Sequence, residues 1–271
     1  MIAGRVARAA ITIFVIMATG CSFSFASQAY SEGEKALKNQ NYKLAISDFR
    51  KVIERNPKSS LAIKSARQAA RVAFFNTKNY LQSIEFYNHL VKYSRSETER
   101  VKSQRAIADI YFANLSDYPK AIAEYNKLLL VETNRKEIVK ERFNLARSYF
   151  YMDRFYDSKD QIKDALKLAK SRRQQFELKM FLASIYFNMK DNNKALSVYS
   201  YLEHNFPKRA KAENIALNES ICYESENRLN KAIATLKTIE STYKDPEFIA
   251  LKIKRLRELE SNTPGDHGHF Q

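Results

Sequence analysis

Glycine is nearly missing from the body of this 271-residue chain. Its 5 glycines are Gly4, Gly20, Gly33, Gly265 and Gly268, so none lies between Glu34 and Pro264. A glycine-rich phosphate loop, of P-loop or dinucleotide type, needs several residues without a Cβ near the phosphates and is excluded there. A sheet protein with many tight hairpins is disfavoured for a related reason, because those turns draw on glycine at positive φ. Proline is also scarce, at 5, and tryptophan is absent. The only histidines are His89, His204, His267 and His269, none in a recognisable catalytic motif. What is present is 45% hydrophobic and 28% charged, enough for a large core and too apolar for a disordered chain. The expectation is a mostly helical protein without nucleotide chemistry, cofactor or metal.

The first twenty residues read as an export signal. Arg5 and Arg8 precede an apolar run over 9–19 that is short for a membrane-spanning helix and suits a signal peptide. The following Ala18-Thr19-Gly20-Cys21 resembles a bacterial lipobox, with Ala18 where leucine is usual. That resemblance implies lipidation of Cys21, and Ser22 after it implies the outer membrane, facing the periplasm. A rival small-x-small cut, Ser24-Phe25-Ala26, would instead release a soluble periplasmic protein. Residues 21–29 would be a short tether, and the eight from Ser22 to Ala29 reach at most about 28 Å when extended. With Cys21 lipidated, Cys222 has no partner for an intramolecular disulfide and reads as a small buried side chain.

Self-similarity organises the rest. Tyr42-x-x-Ala45-Ile46-x-x-Phe49 returns as Tyr80-x-x-Ser83-Ile84-x-x-Tyr87 and Tyr118-x-x-Ala121-Ile122-x-x-Tyr125. Weaker copies surround Ser158, Ala195 and Ala232. The small anchors Ala45, Ser83, Ala121, Ser158, Ala195 and Ala232 stand 38, 38, 37, 37 and 37 residues apart. Each copy reads as two helices. The second puts small and large apolar residues on one face, and the first ends in an aromatic pair, such as Phe74-Phe75 or Tyr149-Phe150. One such pair cannot bury its apolar face alone, so the copies must stack. Asp245-Pro246 is a helix start with Asp as N-cap, opening a capping helix to about Glu260. The expected layout is a solenoid over 30–260 and a flexible tail over 261–271, whose His267 and His269 read as solvated.

The repeating unit resembles the tetratricopeptide repeat, most closely at Phe143-Asn144-Leu145-Ala146-Arg147-Ser148-Tyr149-Phe150. Gly33 falls at that family's small position in the first copy, and Pro57 and Pro207 near its repeat-closing proline. The period of 37–38 exceeds the family's usual 34, and Arg71 stands where the second copy should have a small residue. The resemblance covers residues 27–245 and implies an all-α, right-handed superhelical solenoid of about six helix pairs plus the capping helix. It also implies a non-enzymatic protein that binds peptides or partner proteins in a concave groove lined by first helices. In that register Phe75, Phe112, Phe150 and Phe187 turn toward the groove or pack between neighbouring helices, with packing the preferred reading. The aromatics preceding them, Phe74, Tyr111, Tyr149, Tyr186 and Tyr223, are expected in the core. Asn144 and Arg147 fall where the family bonds a ligand, with Lys140 nearby and Lys102 as its equivalent in the third copy. Acidic or C-terminal-carboxylate peptides carrying apolar residues would suit such a groove.

The chain carries 46 Lys and Arg against 30 Asp and Glu, a net +16; without Arg5 and Arg8 the excess is +14, spread along the body without one dense run. Nucleic acid is the reflex partner for such a charge, but export directs the reading to anionic envelope material and acidic proteins. The combined expectation is a lipid-anchored scaffold that recruits envelope proteins. In architecture it resembles lipoproteins of outer-membrane β-barrel assembly most, and pilus-secretin assembly factors and peptidoglycan-hydrolase adaptors next. The alternatives are a soluble periplasmic adaptor and a cytoplasmic RNA-binding helical repeat.

Overall fold

The computed structural model describes residues 25–262. The signal segment with Cys21, and the tail with His267 and His269, lie outside the described residues. Every regular element among those residues is a helix, and the chain divides into two compact units with the boundary after Thr133. Each unit is a stack of helix pairs within the span expected for the solenoid, 30–260. The first holds three helix pairs: α1 (25–38) with α2 (Tyr42–Arg55), α3 (Ser60–Phe75) with α4 (Tyr80–Tyr93), and α5 (Glu97–Ala113) with α6 (Tyr118–Leu129). The second begins with α7 (Arg135–Phe150) and α8 (Phe155–Leu168), then α9 (Arg172–Asn188) and α10 (Asn192–Asn205). It ends with α11 (Pro207–Ala212), α12 (Ile215–Ser225), α13 (Leu229–Ile239) and the capping helix α14 (Pro246–Asn262). Asp245 caps α14 as expected, accepting from the Phe248 amide at 3.1 Å. Two boundaries move: residues 25–29, read as tether, are helical, and α14 runs to Asn262.

The pairs close through small residues on both helices. The second-helix anchors Ala45, Ser83, Ala121, Ser158, Ala195 and Ala232 are all completely buried. Opposite them, on the first helices, stand Gly33, Ala70, Ala108, Ala146, Ala183 and Ser220, also buried. The approach is so close that a Cβ on Gly33 would come within 2.9 Å of the Phe49 ring. Where the anchor is serine its hydroxyl is satisfied across the pair: Ser83 Oγ donates to the Ala70 carbonyl (2.9 Å) and Ser158 Oγ to that of Ala146 (2.8 Å). The second copy thus keeps its small residue, and Arg71 is exposed. One extra residue between Ala70 and the anchor shifts the register, so that the spacing of the first copy points to Arg71 while the contact falls at Ala70.

The absence of glycine does not spare the chain left-handed turns. Gln40, Lys78, Ser116, Asp153, Lys190 and Asn227 all have φ between 51° and 61°, each five residues before a small anchor. At Gln40, Asp153, Lys190 and Asn227 the flanking bonds make Schellman turns, for example Lys190 N–H to Phe187 O (3.0 Å) and Asp191 N–H to Tyr186 O (2.9 Å). The next residue caps the second helix. Asn41, Asn79, Asp117 and Asp191 accept the backbone amide three residues on. Arg154 and Arg228 hold the same position without a side-chain cap.

These cap residues also dispose of the aromatics expected in the core. Tyr111, Tyr149, Tyr186 and Tyr223 are half-buried, and each is covered by a cation. Where the cap is aspartate, the lysine three residues later pairs with it and lies over the ring: Lys120 over Tyr111 (5.4 Å) and Lys194 over Tyr186 (5.8 Å). Where the cap is arginine it takes the ring itself, Arg154 over Tyr149 and Arg228 over Tyr223, both at 4.7 Å. Phe74 is also half-buried, edge-on to Tyr80 at 5.6 Å.

The sixth copy departs from the pattern. Its first helix is broken into α11 and α12 by Asn214, a left-handed residue (φ 52°, ψ 48°) out of phase with the other six. Arg209 of α11 reaches back onto the Phe176 ring (4.3 Å), while Arg172 covers Phe206 (4.7 Å). The two rings meet edge-to-face at 5.5 Å. Alternating cations and rings thus bind α9, the end of α10 and α11 together.

Candidate functional site

A groove of about 710 Å³ runs between α7 and α9 in the second unit. Its walls are fixed at their starts. Asn134 caps α7 by accepting the Lys136 and Glu137 amides, and Ser171 caps α9 by accepting that of Gln174 (3.1 Å). Arg135 donates to the Leu168 carbonyl at 2.7 Å and Arg172 to the Asn205 carbonyl at 2.5 Å. Each first helix thereby places a cation on the C-terminal carbonyls of its own partner helix, where the helix dipole favours it.

Val139 and Leu178, both buried, and the half-buried Phe143 supply the apolar lining. Phe143 is held edge-on to Phe181 at 5.4 Å, and Phe181 also meets Phe150 at 5.2 Å. The polar rim carries Lys136, Glu137 and Lys140 from α7, and Ser171, Arg173, Gln174 and Glu177 from α9. Lys136 and Lys140 form no ion pair among the described residues. Glu177 is shared by Arg173 Nε at 2.9 Å and an Arg209 guanidinium nitrogen at 3.2 Å. Burial pushes its carboxyl upward, but the two arginines outweigh that and hold it below the ordinary glutamate value. The surface therefore offers cations beside an apolar floor, which suits a ligand carrying carboxylates and an apolar side chain.

Of the residues expected at a ligand, Lys140 lines this groove. Arg147 continues the same helix face, its guanidinium 5.9 Å from the Phe143 ring centroid, but neither it nor the half-buried Asn144 lines the cavity. Lys102 is exposed on α5 in the first unit. The four phenylalanines form no exposed ladder. Phe150 packs on Phe155 (5.4 Å) and Phe181, Phe112 meets Tyr118 (6.0 Å) and Tyr125 (6.4 Å), and Phe187 lies against the core around Ala195 and Tyr199. Phe75 alone of the four is exposed, at 65%. Lys136, Phe143, Arg173 and Glu177 were missed. Their signal was present in part, since Lys136, Lys140, Phe143 and Arg147 fall at i, i+4, i+7 and i+11, one helix face.

Cys222 is buried in α12, and burial with the nearby Glu226 and Glu219 pushes its thiol up to about 11, the opposite of an activated nucleophile. Among the described residues no group of three His, Cys, Asp or Glu is placed to hold a metal ion, and no helix is long and apolar enough to cross a membrane.

Residues 34–59, from the end of α1 through α2, match the family model of the tetratricopeptide repeat. No curated protein matches the chain. Among solved structures it is similar to MamA at 11% identity, over 69% of this chain and 94% of that one, with a TM-score of 0.50. It is similar to YrrB, described as a TPR protein with an unusual peptide-binding site, at 14% identity over 76% and 97% of the two chains, TM-score 0.54. A third likeness is to a signal-transduction ATPase with a tetratricopeptide repeat sensor from Pyrococcus horikoshii, at 15% identity over 86% of this chain and 38% of that one, TM-score 0.58. At these identities the likeness is one of fold: an all-helical stack of tetratricopeptide-type pairs.

Proposed function

We propose that this protein is a non-enzymatic, lipid-anchored scaffold of the bacterial cell envelope that holds acidic, apolar-bearing segments of partner proteins in the α7–α9 groove. The observation that carries the binding reading is the groove itself, with Val139, Phe143 and Leu178 as floor and Lys136 and Lys140 unpaired on its rim. The peptide-binding site named for YrrB supports a stack of this fold serving such a role. The envelope reading is supported by Arg5, Arg8, the apolar run and Ala18-Thr19-Gly20-Cys21. The net charge of +14 that remains without Arg5 and Arg8 fits work beside anionic envelope material and acidic proteins. An outer-membrane position facing the periplasm, and service to β-barrel, pilus or cell-wall machinery, are the finer parts of the same proposal.

Two experiments test it. The intact mass of protein from native membranes should correspond to a chain beginning at Cys21 plus acyl groups. A chain beginning near Ser27 in the soluble fraction would replace the anchored scaffold with a free periplasmic adaptor, and an intact Met1 chain would defeat the envelope reading. A photo-crosslinking residue at Phe143 should then capture a Glu- or Asp-rich segment, and the same residue at the exposed Ser200 of α10 should not.

A further inference from the structure

The two cationic sources in the groove are not alike. Lys136 and Lys140 have no ion-pair partner among the described residues, whereas Arg173 is engaged by Glu177, a carboxylate that itself lines the groove. Arg173 is 81% exposed, and Glu177 is its one ion-pair partner among the described residues. Glu177 has a second and better anchored partner. Arg209 is 33% exposed, stacks on Phe176 at 4.3 Å and donates to the Arg173 carbonyl at 3.4 Å. If Arg173 turned away, Glu177 would still be neutralised by Arg209, so no unpaired charge would be left behind. An exposed pair such as Arg173–Glu177 is also weak, contributing about 1 kcal/mol or less.

We infer that Arg173 is the residue that reads the ligand's carboxylate in this groove, and that Glu177 is its internal stand-in, occupying the guanidinium until a ligand carboxylate displaces it. The inference rests on reading the groove as an acidic-peptide site. It gives α11 a part in the site, since α11 carries the Arg209 that pairs with Glu177. It also makes the groove selective. A lone apolar segment gains nothing from displacing Glu177, and a basic one meets the like charges of Lys136 and Lys140. Only a ligand that supplies its own carboxylate replaces the bond it breaks.

The test uses the purified full chain and a fluorescein-labelled peptide alternating glutamate with leucine and phenylalanine, read by anisotropy at physiological salt. E177Q should bind it about three- to fivefold more tightly than wild type, the scale of one exposed ion pair. R173Q should bind it about tenfold more weakly, as expected for loss of a hydrogen-bonded charge contact. The decisive variant is E177Q/R173Q. A mere loss of negative charge from the groove would give the same gain with or without Arg173, whereas a stand-in gives no gain once Arg173 is gone. Arg173 is exposed, and glutamine keeps the shape of the half-buried Glu177 while losing its ion pair with Arg209, so melting curves of all three variants are recorded beside wild type and should show each of them folded at the assay temperature. Binding to wild type and E177Q with equal affinity, or an E177Q gain that survives in R173Q, overturns the stand-in and leaves the groove reading intact. Absence of binding to both overturns the groove reading and the stand-in with it. Binding by E177Q alone supports both.

Discussion

Lys190 pays a steric penalty for its backbone that glycine would not. Its φ of 61° lies in the left-handed region, where a Cβ crowds the following carbonyl at a cost of about 1–2 kcal/mol. Its side chain is exposed, and the turn is held by backbone bonds alone, Lys190 N–H to Phe187 O and Asp191 N–H to Tyr186 O. Lys190→Gly keeps both bonds and removes the crowding. Against this stands the extra chain entropy glycine loses on folding, about 0.5–1 kcal/mol. The net expectation is a gain of about 0.5–1 kcal/mol, and the same for Gln40→Gly (φ 58°) and Lys78→Gly (φ 52°), which are also exposed. Urea unfolding followed by circular dichroism should show it, and for a chain of this size about 1 kcal/mol corresponds to a melting shift of roughly 2–4 °C. The matched alanine variants retain the Cβ and should stay near wild type. Glycine variants no more stable than their alanine counterparts would refute the reasoning.

Other consequences follow from the same geometry. Gly33→Val should lose about 2 kcal/mol in thermal unfolding, since even its Cβ would press on the Phe49 ring at 2.9 Å. The double variant R154D/D157K copies the Asp117–Lys120 and Asp191–Lys194 arrangement. It keeps an ion pair, adds the N-cap that α8 lacks, and should stabilise by about 1 kcal/mol in the same assay. Glu219 is raised to about 7, by burial first and then by Glu203. Its folded state therefore holds a proton that the unfolded chain has released, and stability falls as pH rises from about 4.5 to 7. Glu219→Gln should flatten that slope, match wild type near pH 4.5 and exceed it above pH 7 by about 1 kcal/mol, a figure kept low for solvent screening. Equal slopes in urea titrations of wild type and E219Q across that range would contradict this.

The repeat could be read because its anchors are small residues at a fixed period, and a small residue between two helices has one structural meaning. The same logic slipped at Arg71: one inserted residue before Ser83 lengthens the anchor spacing to 38, but the spacing does not say where in the copy the residue lies, and the contact falls at Ala70. The left-handed turns were hidden for a chemical reason. Glycine is the usual sign of positive φ, yet here Gln, Lys, Ser, Asp and Asn hold the position, supported by the bonds around them. The break at Asn214 was equally silent, since the residues of α11 and α12 suit one continuous helix as well as two. At the candidate site, Lys140 was legible from register on α7. Arg173 and Glu177 were not, because they come from a helix 37 residues on and their meaning depends on Arg209, which only the folded unit brings to them. The phenylalanine series shows the limit of equivalence by period: Phe75, Phe112, Phe150 and Phe187 share a register, yet one is exposed and three are packed.

Selection of a random displayed peptide library on the purified full chain tests the central claim most directly. The account predicts enrichment of sequences that combine glutamate or aspartate with leucine or phenylalanine, and loss of their binding in K136E/K140E. Selected peptides without acidic residues, or acidic ones that bind K136E/K140E as well as wild type, would contradict it.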